Sequence, residues 1–405
     1  MIRSFADARV THTKWWVFLT LGLGACAPQK PASDSSHATE HGQTSEEVVP
    51  RTVVSKDEAV GVDELCARAD RALAAGRLEE ALADYERVLK LDPGGPFLAR
   101  AAFGAGSAHD LLGHHQQALS YYQRVALELP SAPEAQPARV RSVRLLVHLE
   151  RYAEAGSNAR KLLESGGEAR LRPLESIAVY GAIALDHSTR DDDTGALYYV
   201  EKGRNVIDAH GLDAGGTIPR DIAALDFALG EVRRIRAERI TFVPTPANFG
   251  QKLEERCQLL LDAQSAYSEA MRAEDAHWSA MAGFRVGELY ENLHTEVMRV
   301  PPPEAADTEA RKQLFEGAMR LRYSILLEKA QTMMKHTLAM VDRTGEKTPW
   351  AERARRAQHD IEEALGREQA AIARLPYSRQ DLEEALDDLG ARAKQKRAPS
   401  QAKSP

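Results

Sequence analysis

The sequence predicts an all-α fold, a right-handed solenoid of antiparallel helix pairs, and three observations carry that expectation. One apolar stripe recurs: Ala81, Leu82, Tyr85, Val88 and Leu89, then Ala118, Leu119, Tyr122, Val125 and Ala126, then Ala155, Gly156, Ala159, Leu162 and Leu163, each set 37 residues after the last. Offsets of one, four, seven and eight put each set on one side of a helix with 3.6 residues per turn. A fixed period of this size means stacked repeats. No segment alternates apolar and polar residues as a half-buried strand does. Aromatic residues make up 6% and charged residues 28% of the 405, a composition that suits cores of alanine and leucine better than the aromatic cores of many compact enzymes.

The first 25 residues read as an export signal. A basic segment up to Lys14 precedes the apolar run Trp15 to Leu23, which is too short to span a bilayer permanently. The run ends at Leu23-Gly24-Ala25-Cys26. That tetrapeptide resembles the lipobox of bacterial lipoproteins, and the resemblance implies that Cys26 is lipidated and becomes the first residue of the mature chain. The alternative is an ordinary secretory signal followed by a chance cysteine. In that family an aspartate after the cysteine favours inner-membrane retention. Ala27 stands there instead, which implies a lipid anchor in the outer membrane with the body facing the periplasm. Each buried acyl methylene contributes about 0.8 kcal/mol, so several chains anchor permanently.

From residue 26 to 56 there are no aromatics and many Pro, Ser, Thr, Glu and His residues, too little apolar surface to offset the entropy of ordering. The segment is expected to be a disordered linker with a reach of roughly 30 Å. The first helix pair then starts near Asp57, with Leu65, Ala69, Ala72 and Leu73 facing inward, Gly76 at the turn, and Asp92-Pro93 at the close. The second pair has Gly106 and Ala118 at close contacts, Gly113 at the turn, Tyr122 on the stripe and Pro130 at the end. These features resemble the tetratricopeptide repeat, and the resemblance covers residues 57–211. A third copy keeps Ala155 but has Glu150 where the family turns on glycine. A fourth, stretched copy carries Gly181, then Asp191-Asp192-Asp193 as an exposed insertion, then Ala196, Leu197 and Val200.

Residues 212–375 read as longer, similar helices: about Arg220 to Ile240, Asn248 to Arg272, a segment around Gly283 to Tyr290, Glu304 to Val341, and Pro349 to Ala373. Prolines at 244 and 246 and at 301 to 303 separate them, and Pro349 after Thr348 is a sound helix start. Residues 376–405 are expected to hold a last helix, Arg379 to Lys394, and a basic disordered tail.

The net charge is −7, and about −9 once the basic leader is removed, which argues against nucleic acid as the main partner. Cys66 and Cys257 sit too far apart in a solenoid to pair readily, so both are expected to be helix-packing thiols. His109, His114 and His115 cluster at a turn without the spacing of a zinc site, and no metal or cofactor is expected. No nucleophile elbow, phosphate-cradling glycine loop or zinc-protease helix occurs, so the chain is not expected to be an enzyme.

What remains is a binding groove. In tetratricopeptide-repeat proteins the first helix of each pair lines it, which by position points to Asp70, Arg100, Phe103, Ser107, Asp110, Arg144 and His148, with Phe103 flanked by Arg100 and Arg144. Chaperone-binding members clamp a terminal carboxylate with a lysine and asparagines. Here Cys66, Asp70, Phe103 and Ser107 stand in those places. The resulting expectation is a membrane-anchored periplasmic scaffold that binds other envelope proteins, in motility, secretion or a similar complex. The alternatives are an accessory lipoprotein of β-barrel assembly and, from another class, a cell-wall hydrolase or its regulator.

Overall fold

Each repeat begins with a helix whose small residues let its neighbours come close. In the computed structural model, which describes residues 61–385 except 165, 216, 217, 274, 305 and 346, α1 (Val62–Ala74) buries Leu65, Cys66, Ala69 and Ala72. α2 (Leu78–Leu91) answers with Ala81, Tyr85 and Val88, and the buried Asp84 is held by Arg68 at 2.6 and 2.5 Å. α3 (Leu98–Leu111) and α4 (His115–Glu128) repeat the arrangement, as do α5 (Ala135–His148) and α6 (Tyr152–Glu164). Cys26, expected to be lipidated, and the expected leader, linker and basic tail lie outside the described residues.

The turns explain the period. Gly76, Gly113, Glu150 and Asp191 all take positive φ, at 74°, 78°, 59° and 60°. The third turn therefore keeps the left-handed geometry although glutamate replaces glycine, at a steric cost that neighbouring contacts offset. The fourth falls within the acidic run, which is not merely an exposed insertion. Asp192 caps α8 (Asp193–His210) by accepting from the Gly195 amide at 2.9 Å. Asp193 pairs with Arg236 and Arg239 at 2.8 and 2.9 Å.

Beyond α7 (Pro173–Thr189) and α8 come α9 (Arg220–Glu238), α10 (Phe249–Met271), α11 (Ala276–Val297), α12 (Glu309–Thr344) and α13 (Pro349–Ala373). Consecutive helices pack against each other from α1 to α13. The odd-numbered helices also touch one another, α1 with α3, α5 with α7, α7 with α9, α9 with α11 and α11 with α13. The result is an all-α solenoid of antiparallel helix pairs with no strand among the described residues. A further helix starts at Arg379 and is described as far as residue 385.

The middle odd-numbered helices have no solvent side. α7 is buried from Glu175 to Asp186 without a break, and α9 from Ile222 to Val232. An ionic network fills the space between them and their neighbours. Glu231 accepts from the Tyr267 hydroxyl at 2.6 Å and from Arg234 at 2.9 Å, with Arg285 at 3.0 Å. Burial pushes the Glu231 carboxyl up, but Arg285 and Arg234 outweigh it and hold the carboxyl below its usual range. The Arg353 guanidinium lies 4.2 Å from the centre of the Trp350 ring and donates to Glu150 at 3.0 Å, joining α13 to the turn after α5.

Candidate functional site

Three odd-numbered helices, α1, α3 and α5, carry all seven groove residues expected from the sequence, and the structure divides them into two groups. On the first two repeats the residues form one polar and aromatic face. Asp70 of α1 accepts from the Tyr85 hydroxyl at 2.5 Å and pairs with Arg100 of α3. Burial, then the Asp70 bond, pushes the Tyr85 phenol well above its ordinary range. Cys66 lies beneath, its thiol raised first by burial and then by Asp70, so it is an inert packing group.

Phe103 packs on Tyr122 with ring centres 5.4 Å apart. The arginine beside Phe103 is not Arg144. Arg141, one turn earlier on α5, lies 5.5 Å from the centre of Phe103 and 5.8 Å from that of Tyr122, and it reaches Asp110 at 3.7 Å. Asp110 is also 3.4 Å from His115. Ser107 is only 7% exposed. It accepts from the Tyr122 hydroxyl at 3.2 Å and donates to the Phe103 carbonyl at 3.0 Å. Its place is therefore under the face as a spacer and not on it, because a small side chain is what lets Tyr122 slide beneath α3.

Arg144 and His148 face the chain's own helices. Arg144 makes a bidentate pair with Asp221 of α9 at 2.8 and 2.7 Å. His148 lies 3.1 Å from Arg220 and is stacked on His277 of α11. Their partners are 72 to 129 positions away, and the repeat pattern gives no hint of them. The histidines of the second turn divide in the same way: His109 stacks on Tyr121 with centres 5.5 Å apart, whereas His115 meets the edge of His148. Among the described residues no group of three or more His, Cys, Asp or Glu side chains is placed to hold a metal ion.

The open face combines exposed arginines with an aromatic ring. Arg100 and Arg141 expose 51% and 42% of their side chains, and exposed ion pairs contribute only about 0–1 kcal/mol. Each arginine can therefore exchange Asp70 or Asp110 for a carboxylate of a partner at little cost, while Phe103 offers an apolar ring between them.

Residues 62–94 match the tetratricopeptide repeat. The match spans α1, the Gly76 turn, α2 and Asp92-Pro93. No curated protein matches the chain significantly. Among solved structures the chain is similar to a tetratricopeptide repeat protein from Parabacteroides merdae, at 13% identity and a TM-score of 0.40, over 74% of this chain and 98% of that one. It is also similar to the tetratricopeptide-repeat domain of P58(IPK), at 17% identity and 0.26, over 83% and 99%. Yeast Tom70 matches at 11% identity and 0.24, over 84% and 97%.

Proposed function

We propose that the chain is a scaffold or adaptor that holds a protein partner on the face formed by α1, α3 and α5, by binding without chemistry. The observation that carries this reading is Phe103, half-buried between helices with the Arg141 guanidinium over its ring and the exposed Arg100–Asp70 pair on the same helices. An aromatic anchor beside an exchangeable arginine is the arrangement that dominates peptide recognition. The helices are already stacked, so docking an extended segment with an apolar side chain and an acidic neighbour loses little ordering entropy.

The place of action in this proposal is the cell envelope. The basic leader, apolar run and Leu23-Gly24-Ala25-Cys26 support lipid anchoring, and Ala27 supports the outer membrane with the body facing the periplasm. The partners are then other envelope proteins, in a motility, secretion or similar complex. The test is crosslinked co-purification from membranes with the parent chain and with a Phe103→Ala/Arg141→Glu variant, with circular dichroism to verify the fold. The parent retains a defined partner and the folded variant loses at least nine-tenths of it. Full retention would move the binding surface to the long helices beyond Gly215.

A further inference from the structure

α5 ends where three other elements meet it, and the meeting point is made of imidazoles. The His148 ring stacks on His277 of α11 with centres 3.8 Å apart and planes 28° apart, and it receives the edge of His115 of α4 at 4.1 Å. His277 is 5% exposed, and neither of its ring nitrogens has a hydrogen-bond partner. Arg220, at the start of α9, lies with Nη2 3.1 Å from Nδ1 of His148. A guanidinium can only donate, so that nitrogen must be unprotonated. Two stacked rings beside a fixed cation have no room for further positive charge.

The charged groups around the cluster do not relieve this. From α3, Asp110 faces His115 at 3.4 Å and is shared with Arg141 of α5. Arg144 of α5 is matched by Asp221 of α9. Asp275, just before α11, pairs with Arg220 at 3.0 Å and so is spent on the guanidinium. Stacked rings do not converge their nitrogens on one point, which sets this cluster apart from a metal site.

We propose that the His148–His277 stack is a pH-sensitive latch that holds the end of α5 against the starts of α9 and α11, closed when both rings are neutral and opened by acid. Opening uncovers Arg144 and the last turn of α5, which lie next to the open face of the earlier repeats. The latch rests on the stack alone and stands whether or not that face binds a partner.

Burial, followed by the neighbouring His277, His115 and Arg220, lowers His148 to about 2. Burial, then Arg220 and His115, lowers His277 to about 3. Both values lie below the ordinary 6.5. The stack therefore stabilises the closed form fully above pH 6.5 and progressively less as pH falls toward 3. With two rings taking up protons only when open, the ratio of open to closed chain rises about 100-fold between pH 7.5 and 5.5. Asp226 of α9, raised by burial to about 6, titrates in the same window with the opposite sign, but it faces Arg204 of α8 and not the latch.

The test is hydrogen exchange on the full chain at pH 7.5 and 5.5, corrected for intrinsic rates, following the amides of residues 141–152 and 276–286. In the parent, protection there falls about 100-fold in acid while α1 to α4 stay protected. A His148→Phe/His277→Phe variant, which keeps two flat rings in the stack, shows no such loss. If that variant does not fold, His277→Phe alone should show a loss of only about tenfold. An unchanged parent, a loss spread evenly over all helices, or an undiminished response in either variant would overturn the latch.

Discussion

Replacing Gly104 with alanine tests the packing of the repeats at one atom. A Cβ at that position would lie 2.3 Å from Cζ of Tyr85 and 2.6 Å from both its Cε atoms, about 1 Å inside ordinary contact. The ring has no free direction to move. Tyr85 is 1% exposed and its hydroxyl is fixed to Asp70 at 2.5 Å. Alanine gains roughly 1 kcal/mol of helix propensity. Against this, overpacking costs about 1–3 kcal/mol, and a broken hydrogen bond to a carboxylate about 1.5–3 kcal/mol. The Gly104→Ala chain should therefore lose about 1.5–5 kcal/mol in urea unfolding followed by circular dichroism. Gly366 of α13 serves as the control, because nothing lies within 4 Å of its would-be Cβ. Gly366→Ala should gain about 1 kcal/mol. If Gly104→Ala proves as stable as Gly366→Ala, the close approach of α2 and α3 is refuted.

Other predictions concern charge and anchoring. Asp226 sits at about 6 in the folded chain because burial outweighs Arg204. Its folded value lies above its unfolded one, so its contribution is fully present below pH 4 and is lost as pH rises through 6. Asp226→Asn should therefore stabilise the chain at pH 7.5 by about 1–3 kcal/mol, and this gain over the parent should shrink as pH falls from 6 to 4; a lower urea midpoint than the parent at pH 7.5 would contradict this. Cys26→Ala should abolish incorporation of labelled fatty acid and release the chain from membranes with its helicity intact, and undiminished labelling would remove the lipid anchor.

The repeats were legible because their cause is local. The stripe through Tyr85 and Tyr122 and the glycines at 76 and 113 report helix pairs that close within 37 residues. The same logic places α13 at Pro349–Ala373 as its start signal suggests. Glu150 was misleading in the sequence, since a glutamate at φ 59° keeps the turn that its side chain argues against. The make-up of the polar and aromatic face was half legible. Position within a repeat finds Asp70, Arg100, Phe103 and Asp110, but choosing Arg141 over Arg144 depends on helix phase. That choice is settled only by Asp221, 77 residues further on. The burial of His148 likewise depends on His277, which no period connects to it. Contacts across the solenoid leave no trace in a pattern that repeats along it.

The central claim, that a partner docks on the odd-numbered helices of the first repeats, is tested most directly by site-specific photocrosslinking in native cells. One probe replaces Phe103, between Arg141 and the Arg100–Asp70 pair. The other replaces Leu127 on α4, whose side chain is 79% exposed. A discrete protein adduct at position 103 and none at position 127 is the predicted result. Adducts at 127 with none at 103 would contradict it.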